Sequence, residues 1–91
     1  MRESEIETKV TCYAKNRGWL TFKFTSPANR SVPDRIFIRS GTLLFIEFKA
    51  PGKKPTKLQF NMIMKLRSQG MKVVVIDDIE KGKRLIDRLT D

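Results

Sequence analysis

Apolar positions recur along this chain with two different periods. Ile6, Val10, Tyr13 and Ala14 fall at i, i+4, i+7 and i+8, the single stripe of an amphipathic helix. Ser4, with Glu7 three residues on, has the pattern of a capping box at its start, and Gly18 is placed to stop it. From Trp19 to Thr25 the period drops to two, with Leu20, Phe22 and Phe24 on one side of a strand. A polar loop bounded by prolines, Ser26 to Pro33, follows. Arg35–Arg39 and Thr42–Lys49 are two further strands, joined through Ser40-Gly41 as a two-residue hairpin. Ala50–Pro55, with two prolines and a glycine, is the one linker-like stretch.

Thr56 then caps a second helix that runs to Gln69 and closes at Gly70, with Leu58, Met62, Ile63 and Leu66 at helical spacing. Lys72 to Asp77 carries the β-branched run of a strand buried on both faces. Glu80 to Leu89 is a short closing helix, in spite of the helix-weakening Gly82. The order α-β-β-β-α-β-α, a hairpin followed by a β-α-β crossover, predicts an α/β fold with a mixed sheet flanked by helices. Trp19, the phenylalanines, Met62, Met64 and Met71 are expected in the core, and Cys12 in the core or at its boundary.

Composition narrows the class. With 91 residues and 40% of them hydrophobic, the chain is read as one domain over 1–91 with one modest core. No apolar run approaches the roughly 18 residues of a membrane span. The charged start MRESEIETKV has no secretory h-region. The lone Cys12 can form no intramolecular disulfide, so a reducing, cytoplasmic setting is expected. Nineteen Lys and Arg against ten Asp and Glu leave a net charge of +9, the footprint of a polyanion binder. There is no histidine, which removes His-ligated zinc fingers and Ser-His-Asp, Cys-His and histidine-base nuclease chemistry. Any metal would be held by oxygen, hence a hard cation such as Mg²⁺ or Mn²⁺. No organic cofactor and no membrane partner are expected.

The hairpin brings candidate chemistry together. If Ser40-Gly41 is a two-residue loop, Arg39 pairs with Thr42, and counting back puts Asp34 directly across from Glu47. Opposed Cβ atoms lie about 4.5–5.5 Å apart, and like charges in that position destabilise a sheet. A divalent cation between the two carboxylates is the economical reason for them. Lys49, two residues past Glu47, shares their face. Arg30 and Arg35 beside Asp34, and Lys53, Lys54 and Lys57 beyond Lys49, are expected to contact a phosphate backbone.

Pro33-Asp34, then Glu47-Phe48-Lys49 after the hairpin, resembles the PD-(D/E)XK signature of the restriction-endonuclease-like nucleases. Those enzymes share an αβββαβ core, which matches the order above with the last helix added. Within that superfamily the chain resembles stand-alone VRR-NUC domains of phages and bacteria. The likeness rests on a first-helix glutamate, Val32-Pro33-Asp34-Arg35, Phe45 to Gly52 and the glutamine opening the next helix.

The resemblance implies metal-binding roles for Asp34 and Glu47, a main-chain carbonyl ligand at Phe48, and a catalytic role for Lys49. It implies a first-helix acid at the catalytic metal site, matched best by Glu7 with Glu3 and Glu5 as rivals, and a catalytic glutamine, Gln59, that supports the site. It also implies a Mg²⁺- or Mn²⁺-dependent DNA endonuclease, Holliday junction resolution above all, and a homodimer fits a two-fold symmetric junction. Flap- or nick-directed cutting remains an alternative. So does a non-catalytic basic DNA-binding module or a subunit of a larger assembly.

Overall fold

The computed structural model describes residues 1–90. Its elements are α1 (Glu3–Lys15), β1 (Leu20–Lys23), β2 (Arg35–Arg39), β3 (Thr42–Phe48), α2 (Lys57–Ser68), β4 (Lys72–Ile76) and α3 (Ile79–Leu89). The strands form one mixed sheet in the order β1-β2-β3-β4, antiparallel across the first two pairs and parallel between β3 and β4. A helix must connect the parallel pair, and α2 is that crossover. No helix among the described residues is long and apolar enough to cross a membrane.

Alternation along the strands builds two cores. Phe37, Leu44, Ile46, Phe48 and Ile76 point to one face and pack with Ile6, Val10 and Ala14 of α1 and Leu85 and Ile86 of α3. Phe45 and Val73 point to the other face and meet Ile63 of α2. α1 and α3 touch so closely that a Cβ on Gly82 would collide with Val10. The residue that weakens the third helix in isolation is thus the one that lets it pack.

Ser40 and Gly41 have φ of 49° and 81°, as a type I′ turn requires, and the register runs from Arg39↔Thr42 to Arg35↔Ile46 without a bulge. The Thr56 capping box also forms, with Thr56 Oγ1 accepting from the Gln59 N–H at 3.2 Å and Gln59 Oε1 from the Thr56 N–H at 2.9 Å.

Other expectations need correction. α1 begins at Glu3 rather than after Ser4, because Glu5 reaches back to accept from the Arg2 N–H at 3.2 Å. That box leaves Glu7 free of a capping duty. β1 is shorter than Trp19–Thr25: Trp19 turns into the α1–α3 core and donates its indole N–H to Thr90 Oγ1 at 2.9 Å. Leu20 and Phe22 do share a face with Phe24, but no helix covers it there, and they are 59% and 55% exposed. Leu58, Phe60, Met64 and Met71 are also exposed, since α2 buries only Ile63 fully. Cys12 is exposed as well.

Candidate active site

The site lies where β2 begins and β3 ends. Continuing the observed register by one pair puts Asp34 across from Glu47. Asp34 is fixed from both sides: its main-chain carbonyl accepts from the Phe24 N–H at 2.9 Å, and its Oδ2 accepts from the Phe48 N–H at 2.8 Å. Glu47 sits in the middle of the sheet, between β2 and β4, and is only 2% exposed. Lys49 Nζ lies 3.4 Å from Glu47 Oε2, and the Lys49 N–H donates to the Ile76 carbonyl at 2.9 Å, extending the parallel ladder. The chain then leaves the sheet through a turn closed by the Lys53 N–H on the Ala50 carbonyl at 3.0 Å. Gly52 donates to Asp77 Oδ2 at 3.1 Å, anchoring that turn to the end of β4.

The two carboxylates are electrostatically uncomfortable. Burial pushes Glu47 up to about 7, the negative charge of Asp34 adds to this, and Lys49 opposes it. Asp34 is also raised, by burial first and by the charge of Glu7, although the Phe48 N–H and Lys49 pull the other way. An adjacent divalent cation would offset both penalties. The donors fit a hard ion: two carboxylates and the Phe48 carbonyl could hold Mg²⁺ or Mn²⁺, with water completing the set. Among the described residues no group of three or more Asp, Glu, His or Cys side chains converges in metal-binding geometry, Glu7 included.

The rival first-helix acids separate clearly. Glu5 is occupied with Arg2 at the helix start. The charge of Glu7 raises the Asp34 carboxyl, and Glu7 Oε2 is held by Arg35 Nε at 2.7 Å and Lys23 Nζ at 3.5 Å. The charge of Glu3 acts instead, weakly, on Glu47.

Of the cations expected on a phosphate backbone, Arg30, Lys53, Lys54 and Lys57 are exposed. Arg35 is turned inward: besides Glu7 it donates from Nη1 to Thr21 Oγ1 at 2.9 Å, on the α1 side of the sheet. Gln59 spends its carboxamide oxygen on the α2 cap. Lys23 was not singled out by the sequence, yet its positive charge reaches Asp34. It stands opposite Arg35, a pairing hidden by the long Ser26–Pro33 connection.

No model of a known protein family matches the chain. The "Putative nuclease p44" of Acyrthosiphon pisum secondary endosymbiont phage 1 is 38% identical over 78 residues, which are 85% of this chain and 84% of that protein. Two solved structures share the fold. One described as a VRR_NUC domain has a TM-score of 0.87 at 21% identity, covering 96% of both chains. The chain belongs to the family of this phage nuclease and has the VRR_NUC fold. The other structure, a VRR_NUC domain protein, has a TM-score of 0.80 at 23% identity, over 96% of this chain and 86% of that one. In this nuclease-family domain the opposed carboxylates and Lys49 lie together where β2 begins and β3 ends.

Proposed function

We propose that this VRR-NUC nuclease is a Mg²⁺- or Mn²⁺-dependent endonuclease that cuts branched DNA, four-way junctions foremost. The observation that carries the reading is the buried Glu47, opposed to Asp34 and paired to Lys49 at 3.4 Å. Asp34, Glu47 and the Phe48 carbonyl would hold the metal, which when bound would supply an activated water and stabilise charge developing on the phosphate. Lys49 orients the attacking water and neutralises the phosphate as negative charge builds up. Asp34, pinned by the Phe48 N–H, keeps its position as substrate arrives. Glu7, already occupied by Arg35 and Lys23, acts on Asp34 at a distance through its charge.

The net charge of +9 supports a DNA substrate, and the exposed Lys53, Lys54 and Lys57 follow the catalytic strand directly. A four-way junction has two-fold symmetry and needs two incisions, so we read the working form as a homodimer. The bare Leu20 and Phe22 of the edge strand β1 support a second copy docking there. The test is cleavage of labelled duplex, flap, fork, nicked and four-way junction DNA with Mg²⁺, with Mn²⁺ and with EDTA, alongside light scattering of the protein. Paired junction cuts by a dimer, abolished by EDTA, are expected. Metal-independent cutting, or cutting confined to flaps or nicks, would overturn the reading.

A further inference from the structure

Two cavities adjoin beside the loop between β1 and β2. One of about 250 Å³ has Asp34 in its wall, and another of about 700 Å³ opens between the loop and α2. Asn29 and Arg30 line both, so the two meet at this loop, as a trough with Asp34 at one end and α2 at the other. Its α2 side carries Leu58, Met62 and Met64, with Lys65 among them. Leu58 is 73% and Met64 46% exposed, although the helix anchors its core through Ile63. A phosphate backbone gains nothing from such an apolar floor. The flat face of a base does gain from it, because leaving water there is favourable. In a paired duplex both faces of every base are covered by its neighbours, so only an unstacked base can lie in the trough. Arg30 on the loop side and Lys65 on the helix side suit the phosphates flanking that base.

We propose that this trough takes an unstacked nucleotide of the substrate strand, next to the phosphate cut at Asp34 and Glu47. The inference rests on the DNA-endonuclease reading above and adds what the enzyme recognises: a strand whose bases have come out of the stack, as at a branch point. The test uses the full chain in EDTA and measures binding to a duplex carrying a short bulge, with 2-aminopurine at an unpaired position, against the same duplex fully paired. Wild type is expected to bind the bulged DNA about tenfold more tightly, in line with stacking of one base on side chains, and to change the 2-aminopurine emission. Leu58→Glu and Met64→Glu, at exposed positions that the fold tolerates, should each remove most of that preference and the emission change. Equal affinity for the two DNAs, or a preference that survives both substitutions, would overturn the trough as a base site. Absence of binding to either DNA would instead overturn the DNA reading itself, and this inference with it.

Discussion

The two faces of the sheet are built to different standards. On one, α1 and α3 lie against β2, β3 and β4, and the buried set from Ile6 to Ile86 is continuous. On the other, α2 covers β3 and β4 through Ile63, while Leu20 and Phe22 of β1 stay bare. The Asp34–Glu47 pair lies off the first face, where the Trp19 indole N–H joins the segment after α1 to Thr90 at the end of α3. The second ends in Asp34, Glu47 and Lys49. A domain this small can keep two repelling carboxylates beside one half-covered face because the other face supplies most of its hydrophobic burial.

The comparison would be sharpened most by removing the site. Asp34→Ala, Glu47→Ala and Lys49→Ala should each lower the cleavage rate by about a thousandfold or more, since on the proposed function each would remove an electrostatic contact to the reacting phosphate or its metal. Circular dichroism should show the folded protein in all three, because the continuous core lies elsewhere. Two of them cutting near the wild-type rate would break the division between a structural and a working face.

Truncation should then separate the faces by stability. Phe37→Ala, in the covered core, should cost about 3–5 kcal/mol in urea unfolding, as large aromatic truncations in full burial do. Phe22→Ala, on the bare face, should change the monomer's stability by no more than about 0.5 kcal/mol. Comparable losses at the two positions would mean that β1 is covered in solution by something that persists through the measurement, and the self-associated protein would be the place to look.

Gly82 gives a smaller effect with an informative sign. On helix propensity alone Gly82→Ala should stabilise α3 by up to about 1 kcal/mol. The collision of the new Cβ with Val10 works against this and, as overpacking commonly does, costs about 1–3 kcal/mol. The net change should be destabilising, and Val10→Ala should rescue it in the double variant. A stabilised Gly82→Ala protein would mean that α1 and α3 have room to separate.

These differences mark how far the sequence could be read. The hairpin is legible because a two-residue turn fixes register: Ser40-Gly41 sets Asp34 across from Glu47 as long as no bulge intervenes, and β2 and β3 pair without one. Coverage was not legible. Alternation shows that Leu20, Phe22 and Phe24 share a side, but whether a helix lies over that side depends on where α2 ends up. Gly82 looked like a weakness because its reason, Val10, is on another helix. The inward pairing of Arg35 is hidden for the same kind of reason: its partner Glu7 lies 28 residues away and meets it only once α1 packs. Spacing alone leaves Glu3, Glu5 and Glu7 as rival first-helix acids; that Glu5 caps the helix and that the charge of Glu7 acts on Asp34 depend on side-chain contacts the sequence does not show.

The smallest expected effect concerns what Glu47 costs the fold without metal. Its carboxyl is raised from the ordinary 4.5 to about 7 by burial and by Asp34. Between those two values the folded protein holds a proton that the unfolded chain has released, so this group makes stability fall as pH rises through that window. Above about pH 7 both states carry the charge, and the folded state bears the full repulsion. Glu47→Gln removes the charge while keeping the shape, so in EDTA at pH 8 it should melt a few degrees higher than wild type. The gap should narrow as the pH falls through 7 toward 4.5, where wild type neutralises the same group by protonation. Asp34→Asn should gain less, because the Phe48 N–H already stabilises the Asp34 carboxylate and an amide oxygen accepts that bond more weakly. Differential scanning calorimetry across that range, with and without Mg²⁺, is the measurement. A Glu47→Gln protein less stable than wild type at pH 8 without metal would mean that the Glu47–Lys49 pair outweighs the repulsion from Asp34, and that the working face is as tightly satisfied as the structural one.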